Sequence, residues 1–362
     1  MSATHGSNID SYNLKGFLKK CGFDRWRYVF SGYNAYSGEK AFFTIELYVT
    51  NPALSPDVVQ CSKVDPLAGS LDTSVLLAPQ EIVPHSFVSL RFTFFSKTAQ
   101  IFESLYPTKS LLISKRDVRI DGTDFVMDSK ALRGSITEEQ GIVSWNLNMD
   151  RQSVFLPSLS KKDMCWSASG AMAQFSGEVV VHGESYIVTP ITSYGYIDKN
   201  WGRSFIDPFF HLSCSHLRST ISGLVMRNSG FAIQGMFDES FAVFADIQEG
   251  NQQVKINCSK TNAKSRFTCT AVEDSLHWTV SVLYRNYLLD LDVFCKTKGM
   301  AIHSYSYPAN PQEELQVLGG ANGTGELKLY KRAGKVLELI EQAAMEDVFC
   351  EYGRKDQPAD DA

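Results

Sequence analysis

The chain has 362 residues, 44% of them hydrophobic and 21% charged, which is enough for two domains with cores of their own. A net charge of −5, with basic residues in pairs such as Lys19-Lys20 and no long basic run, excludes the electrostatic footprint of a nucleic-acid-binding protein. Phe and Tyr number 23 and 15, so aromatic burial is expected to supply much of the core.

Residues 1–12 are polar and expected to be disordered. They hold no basic stretch followed by an apolar one, so no export signal is expected. No run approaches the roughly 18 apolar residues of a membrane-spanning helix. Eight cysteines lie far apart with no Cys-x-x-Cys pair, which fits reduced thiols and a cytoplasmic location.

A short helix is expected over residues 14–21, ended by Gly22. Residues 23–30 and 41–49 read as strands joined by turn residues at 33–39. In the second strand Phe43, Ile45, Leu47 and Val49 share one face, and Thr44, Glu46 and Tyr48 the other. The Pro-rich stretch 51–87 reads as a long excursion over a barrel mouth. Strand patterns resume at 88–95, 110–116, 118–120, 131–137 and 142–148, and residues 179–188 read as a hairpin turning at Gly183-Glu184. From 223 to 331 short strands follow at roughly ten-residue spacing, as in a sandwich or barrel. Residues 335–349 fit either a helix or a final hairpin. These patterns divide the chain into a first β-barrel over 13–190, a second over 191–355 and an acidic tail over 356–362. The fold class is therefore all-β, with two antiparallel barrels or sandwiches side by side.

The glycine-rich run Gly319-Gly-Ala-Asn-Gly-Thr-Gly325 is followed by alternating Leu327, Lys328, Leu329 and Tyr330. A strand after it, with no helix, excludes a phosphate loop and leaves a turn or bulge. In His211-Leu-Ser-Cys-Ser-His216 a strand would turn Cys214 and His216 one way and His211 the other. That is half a zinc site, so no metal is expected. Asp24-Arg-Trp-Arg27 opens the first strand, where Trp26 and Arg27 either stack structurally or stand at a ligand mouth. Ser193 to Arg203 packs unlike chemistries most densely: Tyr194, Tyr196, Asp198, Lys199, Asn200, Trp201 and Arg203. A buried Asp198–Arg203 clasp would explain it without catalysis. A carboxylate among aromatic walls would explain it as a proton donor.

Tyr194-Gly-Tyr-Ile-Asp-Lys-Asn-Trp-Gly-Arg-Ser-Phe205 resembles the Lys-Asn-Trp-Gly block of the tocopherol-cyclase-like family, and is more distantly similar to that of carotenoid hydratases. The resemblance takes in residues 23–30, 322–330 and Cys350-Glu-Tyr-Gly353. It implies two lipocalin-like barrels with apolar ligand space, and a cofactor-free cyclase, hydratase or isomerase acting on an isoprenoid or polyene. On that reading Asp198 is the general acid, with Lys199 and Arg203 tuning it. Tyr194, Trp201, Asn200, Phe209, His211, Trp26 and Arg27 line the substrate. The expected partner is a small apolar molecule, and the alternative is a lipid binder without chemistry.

Overall fold

The computed structural model describes residues 11–54, 86–139, 141–160, 163–236, 241–258 and 265–355. The expectations for the first ten residues, the Pro-rich excursion over 55–85 and the acidic tail lie outside the described residues. Nearly everything described is antiparallel strand, in two sheets. The fourteen-stranded sheet runs from Phe23 to Gly202 and the eleven-stranded one from Phe209 to Lys355. The all-β, two-unit fold class read from strand periodicity is what the structure has. The expected helix at 14–21 is a single 3-10 turn, Gly16–Lys19.

Four strands open the first sheet: β1 (Phe23–Asn34), β2 (Lys40–Thr50), β3 (Phe87–Phe95) and β4 (Ala99–Tyr106). Their period-two alternation sorts side chains onto two faces. Trp26, Tyr28 and Phe30 of β1, Phe43 to Val49 of β2 and Val88 to Phe94 of β3 alternate into the first sheet's own core. The second sheet encloses a core of its own around Phe210, Ile233, Trp278, Leu291 and Val348. A third cluster lies between the sheets, built from Phe23, Val29, Tyr48 and Trp166 on one side and Phe209, Phe244, Tyr305 and Phe349 on the other. The face carrying Thr44, Glu46 and Tyr48 is buried in this seam.

The Gly195–Gly202 strand, expected at the opening of the second barrel, belongs to the first sheet. It lies between β1 and the Met164–Gly170 strand. The chain crosses to the second sheet in the six residues after it. Residues 335–349, open between helix and hairpin, form a hairpin of two long strands, Asn310–Ala333 and Val336–Lys355, turning at Gly334 with φ +65°. The Gly319–Gly325 run lies within the first of these, and its pairing slips at Gly320/Gly323 and Gly323/Gly325, so it is a bulge. Gly325 has to be glycine because a Cβ there would sit 1.9 Å from the carbonyl oxygen of Asp292.

Candidate active site

On β1 the odd-numbered side chains Phe23, Arg25, Arg27 and Val29 face the seam. Directly across from Arg27 are Glu46 on β2 and Asp198 on the Gly195–Gly202 strand. Across from Glu46 is Arg91 on β3, and across from Arg91 is Glu103 on β4. One transverse row therefore reads Glu103, Arg91, Glu46, Arg27, Asp198, alternating in sign at every strand. Opposite charges placed directly across a ladder are the stabilising arrangement. The second sheet presses Glu351, His211 and Gln234 onto this row, themselves adjacent across three strands.

Arg27 is the hub. Its Nε and Nη2 donate to Asp198 at 3.1 and 2.6 Å, and its Nη1 donates to Glu351 of the other sheet. Asp198 Oδ2 also accepts from the Trp166 indole N–H and the Tyr196 hydroxyl, both at 3.0 Å. Beside them Arg25 donates to the Tyr305 hydroxyl at 2.9 Å, and Tyr305 donates to Glu46 at 2.7 Å. Gln234 donates to Asn200 at 2.6 Å, and Thr93 meets His303 Nε2 at 2.9 Å. Three guanidiniums, of Arg25, Arg27 and Arg91, thus face three buried carboxylates, of Glu46, Asp198 and Glu351. Buried charges persist only when matched in this way.

Burial and charge push the carboxylates in different directions. Desolvation raises Asp198, but Arg27, then His211 and Arg25, outweigh it and hold its pKa below the ordinary carboxylate value. Glu46 is likewise held low against desolvation, by Arg25, His303 and Arg91. At Glu351 desolvation wins over Arg27 and Arg25, and its pKa is raised. Desolvation, reinforced by Arg27, drives His211 well below its usual value, so the ring is neutral. Desolvation and Arg91 bring His303 down to about 4. Oε1 of Glu351, Nδ1 of His211 and Nε and Nη2 of Arg25 are buried with no hydrogen-bond partner in the protein. The site keeps that bonding capacity in hand.

The residues expected to act together are separated by the pleat. Asp198, Asn200, Phe209, His211 and Arg27 meet in the seam. Lys199 points the opposite way, into the first sheet, where its Nζ lies 2.5 Å from Asp24 and 3.2 Å above the Trp26 ring. Trp26 belongs to that core, on the face away from the seam. Arg203 is exposed over Phe17, so the expected Asp198–Arg203 clasp is an Asp198–Arg27 clasp. Tyr194 is half-buried and stacked on His216 at 3.7 Å, and Trp201 is half-buried at the far end of its strand. Glu351, Glu46, Arg25, Arg91, His303 and Tyr305 complete the site and were not anticipated. A lone Glu on a strand with both faces apolar or aromatic around it was the one available signal, at Glu46 and again at Glu351. Asp198 is not in the wall of the cavities beside Tyr12, beside Tyr194 or beside Glu39. Among the described residues no cluster of His, Cys, Asp and Glu suits a metal ion.

Fold and site together define a two-sheet all-β protein with an ionised, aromatic-lined seam. No protein-family profile matches the chain, and no curated protein matches its sequence. Among solved structures it is similar to a protein of Nitrosomonas europaea provisionally assigned as AttH, with 12% identity, a TM-score of 0.46 and 91% of each chain covered. It is also similar to kievitone hydratase from Nectria haematococca, with 11% identity and a TM-score of 0.44, covering 96% of this chain and 94% of that one. A third is CghA with Sch210972, at 8% identity and a TM-score of 0.43, covering 94% and 90%.

Proposed function

We propose that the protein is a cofactor-free hydratase or cyclase that adds a proton, and in the hydratase case water, to a carbon–carbon double bond of a small apolar substrate. The observation that carries this is one guanidinium held between two carboxylates in a buried, aromatic-lined seam, with the pKa of one pushed up and of the other pushed down. Two titratable groups driven apart by their surroundings are the pattern of an acid and a base in one site. Glu351, whose pKa desolvation raises, is assigned as the acid, in place of Asp198. Asp198, ionised, is assigned as the base that takes a proton from the adding water and as the counter-charge to a cation at carbon. The faces of Tyr196, Trp166 and Phe349 add to cation stabilisation. In a hydration Glu351 gives one proton to carbon and Asp198 receives one from water. The cycle closes when Asp198 releases its proton and Glu351 regains one. Kievitone hydratase is named for the same reaction class, but the reading rests on this chain's own residues.

The test is incubation with a panel of prenylated phenols and polyenes in D2O, read by mass spectrometry. Deuterium at carbon or a gain of water supports the proposal. Glu351→Gln and Asp198→Asn are each expected to lower turnover by at least a hundredfold, while Arg203→Ala leaves it within twofold. Full turnover by Glu351→Gln would overturn the assignment.

A second reading, an apolar-ligand carrier, is favoured by a different feature. A cavity of about 500 Å³ opens beside Tyr12, Ile113, Val118 and Met127, with Lys115, Lys130, Asp117 and Asp128 also in its wall. An apolar molecule with a polar end fits such a lining. Its recovery by native mass spectrometry, with no turnover of the panel, would favour the carrier.

A further inference from the structure

A second, much smaller cavity lies beside the seam. Its volume is about 20 Å³, and its wall includes Tyr194, Tyr196, Ser213, Ala321, Asp347 and Phe349. That volume holds one water, which needs two to four polar partners, and here tyrosine, serine and aspartate side chains are at hand. Two of its wall residues lead inward. Tyr196 gives its hydroxyl proton to Asp198 at 3.0 Å, and Ser213 meets His211 Nε2 at 3.0 Å. Asp347 leads outward. It pairs with Lys40 of the other sheet and with His216 Nδ1 at 2.6 Å, and the three side chains are 13 to 24% exposed. Tyr194 stacks on His216, and Lys40 lies over both Phe42 and Tyr194. Asp347 holds φ at +60°, a left-handed conformation costing a non-glycine residue about 1 kcal/mol or more, and its bonds to Lys40 and His216 fix it there.

We propose that this cavity is a single-water site through which Asp198 exchanges protons with solvent, and that Lys40, Asp347 and His216 form the clasp at its outer end. The inference deepens the acid–base reading of the seam and rests on it for its purpose. In the step it serves, Asp198 has taken a proton from the added water. Asp198 returns that proton to the Tyr196 oxygen as Tyr196 passes its own hydroxyl proton to the cavity water. Tyrosine ends neutral, Asp198 ends ionised, and hydronium leaves past Asp347. Two bonds of O–H type form, two break, and no other reactant is required.

The test needs no substrate, so it stands or fails apart from the catalytic reading. The Trp166 indole N–H bonds the same Asp198 oxygen as Tyr196, whereas the Trp278 indole lies in the second sheet's core. Their exchange with solvent is read by NMR on the 15N-tryptophan-labelled full chain. The Trp166 proton is expected to exchange at least tenfold faster than that of Trp278. Ala321→Val and Ala321→Leu, which fill the cavity in two steps, are expected to slow Trp166 several-fold in that order. Asp347→Asn keeps a residue at ease in the left-handed region while removing the charge, and is expected to speed it several-fold. Trp278 should not move in any of them. Equal rates for the two indoles, or a Trp166 rate unchanged by both fillings, would overturn the proposal. Parallel changes at Trp278 would assign the exchange to general loosening and overturn it equally.

Discussion

At Arg27 two carboxylates share one guanidinium, and removing either strands a different edge of that one charge. Glu351→Ala leaves Nη1 of Arg27 buried and unmatched, so it is expected to cost about 3–5 kcal/mol in urea unfolding. Glu351→Gln keeps an acceptor in the same place and is expected to cost less than half of that, which separates the loss of a proton donor from the loss of the fold. His303 supplies a pH signature. Its unfolded value is near 6.5 and its folded value about 4, so between them the unfolded chain binds the extra proton. Its contribution is present above 6.5 and is lost as pH falls toward 4, on the order of 3 kcal/mol in all. His211 acts in the same direction. Asp198 and Glu46, held low, add a loss further into acid, while Glu351, held high, binds its proton more readily in the folded chain and offsets part of the fall. Urea midpoints measured from pH 7 to 4 should fall steeply, and His303→Gln, which can still bond Thr93, should flatten the decline. An unaltered slope in that variant would count against the histidine. Of the residues that meet in the seam, Asp198 and Asn200 were legible because unlike chemistries crowd residues 193–203, Arg27 because a charged and aromatic cluster opens the first strand, and His211 only through the family resemblance. Lys199 was misread: adjacency in sequence on a strand means opposite faces in space.

At the scale of elements, alternation located most strands of the second sheet and several of the first, but not Ala99–Tyr106, Phe155–Ser160 or Met164–Gly170, and it failed to say what covers each face. Thr44, Glu46 and Tyr48 look like the solvent side of a strand, yet that face is covered by the second sheet. Period two reports that two faces differ, not what lies against each. The glycine-rich bulge was legible from the alternation after it, but its reason was not, since the close neighbour is the backbone at Asp292 on another strand. Gly325→Ala must push two backbones apart and is expected to cost more than about 2 kcal/mol, measured by chemical denaturation. A cost under 0.5 kcal/mol would mean that the hairpin gives way more easily than its pairing suggests. The Gly195–Gly202 strand shows a further limit. Its composition marked it as a boundary, but only its pairing with β1 tells which sheet owns it.

For the whole molecule the third core decides behaviour. The seam buries Phe23, Tyr48, Trp166, Phe209, Tyr305 and Phe349 between the sheets, at roughly 1.5–3 kcal/mol for each large apolar side chain. Its hydrogen bonds include Tyr48 to the Ser306 carbonyl at 3.1 Å and Asn51 to the Pro308 carbonyl at 2.7 Å. The two sheets are therefore expected to unfold together, with Trp166 and Trp278 reporting one midpoint, each followed in variants lacking the other tryptophans. Two separated transitions would show that the sheets are independent units. That two β units lie side by side was expected from the sequence, but the residues that fill the seam were not legible, since contacts between faces 200 to 300 residues apart leave no local pattern.

The Arg27–Glu351 pair has a consequence in time as well as in space. The two residues are 324 positions apart, so during synthesis Arg27 emerges long before its second carboxylate exists. Until the last strand arrives, the first sheet can close its own core but must keep a row of charges facing water. A nascent chain in that state is protected from sticking by the very residues that later become the driest in the protein. The final step of folding is then the drying of a salt-like surface, and a chain stalled before Glu351 should remain open at the seam and dispersed.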